Sequence, residues 1–318
     1  MRPKQFAMLL GLAGIWGGSF LLIRLAVQSA EAPTNFAPAT LASIRLVVAG
    51  LILFATLKLR GGAFPWASWR PLLLLGVVNT AVPYVLFSWG EQYIESNLAG
   101  IYNATTPLFS IILALLFVRE ERLSGLRSLG VVIGFLGVVY LFSDSLRNVG
   151  QGTSVLHLYG ELACVAGGFC YAIGNLLVRR RLKHLASLEL ASAQLLFGAI
   201  WTVPVALVVD QPWRTLAPTP TAIAALATLT LVGTSFAYII FFNLLAQVGA
   251  TRTSQVTYLM PVIGMFWGWL VGESITPRAI GALAIVLVGV LIVNGVGGKL
   301  WTLLRRERPA EAVVRPEC

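Results

Sequence analysis

The sequence predicts an all-α integral membrane protein, with ten transmembrane helices arranged as a 5+5 inverted-topology repeat around a central cavity. Three observations predict it. Only 11% of the 318 residues are charged and 57% are apolar, where about 25% charge is usual for a globular chain. A surface so poor in charge belongs in lipid. The mean hydropathy of +0.82 is concentrated in ten apolar runs, each near the ~20 residues a helix needs to cross a bilayer. The runs of the second half also repeat those of the first.

The ten runs are 6–28, 37–59, 71–90, 96–118, 127–145, 159–181, 186–209, 219–245, 252–271 and 278–297. Their connections leave no room for a soluble domain, and no GxxxxGK[ST] sequence occurs, so no nucleotide-hydrolysing module is expected. The first run follows Met1-Arg2-Pro3-Lys4 and precedes Ala30-Glu31-Ala32, the layout of a signal peptide. It is longer than a signal core and has a counterpart later in the chain, so it is expected to be retained as the first span. Eighteen of the 23 Lys and Arg fall on the side of the two termini, three on the other side (Arg147, Arg214, Arg278) and two within spans (Arg24, Arg45). This bias predicts cytoplasmic termini. It assigns the net charge of +10 to orientation and anionic headgroups rather than to nucleic acid. Cys164, Cys170 and Cys318 have no metal-ligand spacing, and neither a metal nor a cofactor is expected.

The repeat is legible in four places. IWGGSFLLIRL (15–25) aligns with CYAIGNLLVRR (170–180), pairing Trp16 with Tyr171 and Arg24 with Arg179. LASIRL (41–46) aligns with LASAQL (190–195), pairing Arg45 with Gln194. NATTPLF (103–109) aligns with TYLMPVI (257–263), pairing Pro107 with Pro261. ERLSGLRSLG (121–130) aligns with ESITPRAIG (273–281). Each half therefore holds five spans, residues 1–150 and 151–318, the second ending in a cytoplasmic tail. Five is odd, so the second copy enters the membrane inverted. Two inverted copies around one midplane site are the architecture of alternating access.

WGGSF with its following arginine, the LASIRLVVAG second span, and a fourth span with its proline followed by EERLS together resemble the drug/metabolite transporter superfamily. The similarity is greatest to its ten-span EamA-type exporters and covers nearly the whole chain. It implies a bacterial inner-membrane protein that moves small metabolites, often amino acids or drugs, usually outward. The aromatic amino acid exporter branch is compatible with this chain. One departure from the family pattern is Glu121, which follows Glu120, where the second copy keeps Gly272-Glu273.

Inside lipid, polar side chains need partners and irregular backbone is tolerated only where buried or facing water. On the fourth span Ala99, Asn103, Thr106 and Ser110 recur at helical spacing. Pro107 removes the amide that would bond to the Asn103 carbonyl. Ser254, Thr257, Tyr258 and Pro261 echo this on the ninth span. Pro83, Pro107 and Pro261 are candidate gating kinks. Trp16, Phe20, Tyr84, Phe87, Tyr102, Tyr171 and Tyr238 are candidate aromatic walls of an apolar pocket with a few placed polar groups, against the alternative of interfacial belts, to which Trp89 and Trp201 are assigned equally. Asn79 and Asn175 join Asn103, Thr106 and Tyr258 as polar candidates, and Asn243 as a helix cap. Arg45 is a candidate anion contact, while Arg24 reads as an interfacial snorkeler. Gly130, Gly134 and Gly137 predict close packing of the fifth span, away from the cavity.

No acidic residue lies near the centre of a span; Glu91, Glu95, Glu161 and Glu273 lie at ends. A proton relay usually uses a buried Asp, Glu or His, so a proton-coupled multidrug exporter is the secondary expectation. A membrane-embedded transferase or a scaffold is the alternative of another class. His157 and His184 lie at opposite ends of their span, so no catalytic constellation is visible. The function expected is a monomeric secondary transporter in the lipid bilayer, exporting or facilitating aromatic or hydrophobic amino acids and related small molecules.

Overall fold

The computed structural model describes residues 1–29, 32–117, 125–149 and 154–294. Among these residues, eight helices are long and apolar enough to cross a bilayer: α1 (Pro3–Ala26), α2 (Pro38–Leu59), α3 (Trp66–Gly90), α4 (Ser96–Phe117), α5 (Gly125–Asn148), α6 (Val155–Leu182), α7 (Ser187–Asp210) and α8 (Pro220–Val248). Two shorter apolar helices follow, α9 (Val256–Leu270) and α10 (Pro277–Val293). Proline stands in the first turn of α1, α2, α8 and α10, where its missing N–H has no helical partner to lose. The Thr219 and Thr276 hydroxyls cap α8 and α10 by accepting from Ala222 N and Ala279 N. The Glu121 departure and the tail arginines lie outside the described residues.

Helix packing carries the inverted repeat. α1 packs on α8 and α9, and α6 packs on α3 and α4. α2 packs on α7, and α5 on α10. Exchanging α1 with α6, α2 with α7, α3 with α8, α4 with α9 and α5 with α10 maps this set onto itself. The five-span halves are thus related by a pseudo-two-fold axis, and α2–α7, α4–α9 and α5–α10 are the contacts that join helices to their own repeat partners across it. The symmetry is broken at one end of the bundle. α1 also packs on α4, whereas α6 and α9 make no comparable contact, and the space between them is part of a cavity.

Several helix pairs approach backbone to backbone. A Cβ on Gly289 would fall 2.5 Å from Gly134 Cα and 2.6 Å from Gly130 O, and one on Gly137 2.9 Å from Val286 Cγ2. The glycine row predicted on the fifth span is therefore the seam of α5 with α10. The far end of that scaffold still reaches the cavity, through Val293 and Asn294. A Cβ on Gly17 would fall 2.7 Å from Met260 O, joining α1 to α9, and one on Gly90 2.7 Å from Gly160 O, joining α3 to α6. No side chain fits in such contacts without the helices separating.

Gly289→Ala is expected to cost about 1–3 kcal/mol through overpacking, read as a lower thermal unfolding midpoint in detergent. Gly281→Ala, where an added Cβ meets only Tyr140 Cε1 at 3.5 Å, should leave the midpoint unchanged.

Candidate functional site

The bends of the bundle come from hydrogen bonds as much as from prolines. α4 breaks at Ala104–Thr105 between two straight segments, Ser96–Asn103 and Thr106–Phe117. There Tyr102 O accepts both the Thr105 amide at 3.1 Å and the Thr105 hydroxyl at 2.6 Å, which closes the turn. Pro107 stands just beyond it. In the second half the break lies at Ser254–Gln255, between a helical turn at Ala250–Thr253 and α9. Ser254 O accepts the Thr257 amide at 3.1 Å and its hydroxyl at 2.7 Å. The second bend is thus displaced from Pro261, where the sequence placed it. α9 runs on through a buried Pro261, which packs under Gly100 of α4. Each proline still withholds the N–H four residues on, from the Asn103 carbonyl in one half and the Thr257 carbonyl in the other.

α3 and α8 carry a second kind of bend. Val77–Ala81 and Leu231–Phe236 are wide π-helical turns, in which Val82 N–H reaches back to Val77 O. The hydroxyls of Thr234 and Ser235 reach back five residues to Leu229 O and Thr230 O, both at 3.0 Å. Pro83 is buried just past the first of these turns and does not line the cavity. Such turns push side chains out of the regular helical sequence and recur at functional sites.

These turns meet α2 and α7 in two matching polar knots. Arg45 Nε donates to Thr234 Oγ1 at 2.8 Å, and its guanidinium carbon lies 4.2 Å from the centroid of the Tyr84 ring. Across the axis Gln194 Oε1 accepts from Asn79 Nδ2 at 2.9 Å, and Gln194 Nε2 donates to the Tyr238 hydroxyl at 3.0 Å. Thr80 Oγ1 donates to Gly76 O at 2.6 Å and approaches Gln194 O at 3.2 Å. Thr80 and Thr234, and Tyr84 and Tyr238, stand at the offset that relates Pro107 to Pro261. Arg45 and Gln194, equivalent in the repeat, therefore hold equivalent neighbours. A desolvated cation over an aromatic face is worth about 2 kcal/mol.

Between the knots lies a cavity of about 540 Å³. It brings together Trp16, Phe20, Arg45, Asn79, Tyr84, Phe87, Asn103, Thr106, Pro107, Tyr171, Asn175, Tyr238 and Tyr258. Among the described residues lining it there is no Asp or Glu. Phe87 stacks on Tyr171 with centroids 5.9 Å apart and tilts against Phe20 at 5.6 Å, while Trp16 stands edge-on to Tyr238 at 6.2 Å. The cavity opens at the end of the bundle that carries the N-terminus, where Arg179, Ser254 and Asn294 are exposed on its rim. Tyr102 is a correction: it is fully buried, packs on Phe142 at 5.1 Å and stands outside the lining. Ser110, on the polar face expected for α4, also lines the cavity. Asn243 is exposed and Trp201 is 47% exposed, both away from the cavity. Ser19, Gly233 and Phe241 are lining residues that sequence reasoning did not select.

The opposite end is closed by carboxylates that cap helices of the other half. Glu273, in the turn before α10, accepts from the Ser96 and Asn97 amides and from Asn97 Nδ2 at 2.9–3.1 Å. Glu95 accepts from the Ser274 hydroxyl at 2.9 Å. Arg24 is no surface snorkeler: it is half-buried and donates to the Glu91 carbonyl at 2.5 Å. Arg278 pairs with Asp144.

A model of the EamA-like transporter family matches residues 4–143 and matches again over residues 158–295. The chain belongs to the EamA-like transporter family. The two matched stretches fall on the five-span halves, and the family and the curated relatives are transporters rather than enzymes. An uncharacterized transporter of Archaeoglobus fulgidus is 26% identical over 91% of this chain and 98% of its own length. The uncharacterized inner membrane transporter YedA of Escherichia coli is 27% identical over 99% of this chain and 97% of its own. An S-adenosylmethionine/S-adenosylhomocysteine transporter of Chlamydia trachomatis is 28% identical over 87% and 85%. A solved crystal structure superposes with a TM-score of 0.62 over 96% of this chain and all of its own, at 16% identity, which supports the fold.

Thr234→Val should lower stability by about 1.5–3 kcal/mol, the range for a hydrogen bond to a charged group. The two-fold related Thr80→Val, which removes only a neutral bond, should cost about 0.6 kcal/mol. Thermal midpoints of the two purified variants test the order.

Proposed function

We infer that the protein is a secondary transporter that exports or facilitates small carboxylate-bearing metabolites by alternating access, with aromatic and hydrophobic amino acids as the first candidates. One observation carries the substrate class: a cavity walled by aromatic rings and amides contains Arg45 and, among its described lining residues, no acid. Thr234 engages only Nε of that arginine, and the planar guanidinium suits a carboxylate. The stacked rings of Phe87 and Tyr171 suit an aromatic or aliphatic side chain. The Asn103 and Thr257 carbonyls, released by their prolines, suit an ammonium group. A positive lining without acids disfavours net cations, which weighs against a polycation exporter. S-adenosylmethionine and S-adenosylhomocysteine, named for the chlamydial relative, share the amino-acid head group.

In this reading the termini are cytoplasmic, so the cavity faces the cytoplasm and the capped end faces outward. Reversing the asymmetry, by opening α1 from α4 and closing α6 on α9, would expose the same site to the other side.

Counterflow in proteoliposomes, without ATP, tests this with radiolabelled tryptophan, phenylalanine, leucine and S-adenosylmethionine. Exchange of at least one amino acid is expected, and Arg45→Gln should slow it about 10- to 100-fold, the loss of a charge-assisted bond. If no amino acid exchanges, the substrate class is wrong. Pro107→Ala should slow exchange more than it lowers folded yield; unaltered exchange in both Pro107→Ala and Pro261→Ala would make the prolines passive.

A further inference from the structure

A second chamber, about 330 Å³, lies at the closed end and is lined by Arg24, Glu95, Asp144, His157, Glu161 and Arg278 among others. Beneath it sits Glu91, one residue past the end of α3. Glu91 is 0% exposed, and neither of its carboxylate oxygens has a hydrogen-bond partner among the described residues. The close approach of Gly90 to Gly160 joins α3 and α6 one residue before Glu91 and Glu161, and Glu161 is 1% exposed. The charged and titratable groups acting on Glu91 are Glu273 from the turn before α10, Arg24 from α1, Arg45 from α2 and Cys164 from α6. Arg24 donates to the Glu91 carbonyl and Arg45 to Thr234, and neither guanidinium bonds to the carboxylate.

An ionised carboxylate buried without a hydrogen bond costs several kcal/mol, and such a group takes up a proton instead. We propose that Glu91 is a proton-binding site linked to closure of this end: one proton passes from solvent on that face to a Glu91 carboxylate oxygen when the end closes, and returns when it opens. When the end opens, water reaches Glu91, which ionises between Arg24 and Arg45. Among the described residues, the position two-fold related to Glu91 is the apolar Leu245. The linkage is therefore one-sided, and acid on that face favours the cavity opening to the opposite face. This rests only on the alternating-access part of the function proposed above, not on the substrate.

The experiment reads closure rather than flux. In the full chain, with its cysteines replaced by alanine, Ile94→Cys places a thiol at a 1% exposed position lining the closed-end chamber. Val155→Cys, 47% exposed at the start of α6, reports the plain titration of a thiol on the same face. The ratio of their maleimide labelling rates in proteoliposomes should rise about fivefold or more between about pH 5.5 and pH 8, as ionised Glu91 resists closure. Glu91→Gln, which keeps shape and stays neutral, should hold the ratio within about twofold, while Glu161→Gln should keep the rise. A flat ratio in the parent overturns the proposal whether or not the variants fold. So does an equal rise in Glu91→Gln, or a rise that only Glu161→Gln abolishes. Absence of labelling at Ile94→Cys at every pH would overturn alternating access as well, whereas failure of amino-acid exchange would leave this result untouched.

Discussion

The structure depends on a constraint set by lipid: a polar group inside the membrane must find its partner within the protein. The two knots around Arg45 and Gln194 meet that constraint where four helices cross. Each knot ties a side chain of α2 or α7 to the wide turn of one of α3 and α8 and to a tyrosine just past the wide turn of the other. The wide turns are thereby held by cross-helix bonds, the tyrosines become walls of the cavity, and the cavity acquires a fixed charge in Arg45. Remove the knots, and the π-turns would have reason to relax to regular helix, closing the space they hold apart.

The same packing explains why one end is open and the other shut. Two of the contacts that cross the pseudo-two-fold axis, the glycine seam of α5 with α10 and the contact of α2 with α7, are shared by both halves and do not choose an end. The choice is made off the axis, at α1–α4 against α6–α9. At the shut end, carboxylates from one half cap helix starts of the other, satisfying amides that would otherwise need water. Those bonds are short in reach and polar, so they separate at little cost once water enters. The apolar seam stays intact through such a change, which suits it to the role of a fixed frame.

Most of the fold was legible in the sequence because the membrane makes it so: ten apolar runs became ten helices in register with the repeat. Thirteen of the cavity lining residues, from Trp16 to Tyr258, were legible because polar and aromatic residues inside lipid have few other uses. The misses have physical causes. Tyr102 precedes Asn103 by one residue, about 100° round the helix, which places it in the core against Phe142 rather than in the cavity. Pro261 resembles Pro107 in the alignment, yet a proline bends a helix only where its neighbours leave room, and Thr257 closes its turn four residues earlier. Thr234 and Gln194 were overlooked because their partners are distant in sequence. The repeat offset that pairs Thr80 with Thr234 was the available signal. Glu91 and Glu161 were placed at helix ends, which is where they are. Their burial comes from two glycines on different helices, a contact no single-helix pattern contains.

The pairing of Arg45 with Gln194 bears on how such a chain can arise. Two separate, identical five-helix chains meeting about this axis would carry the same residue at both positions. Two arginines would set like charges into the same low-dielectric centre, and two glutamines would leave no charge there at all. One of each requires that the copies differ, and joining them in one polypeptide fixes which copy faces which way. Covalent fusion is thus what allows a symmetric scaffold to hold a single cation beside its axis, and with it a binding site that has a head and a tail.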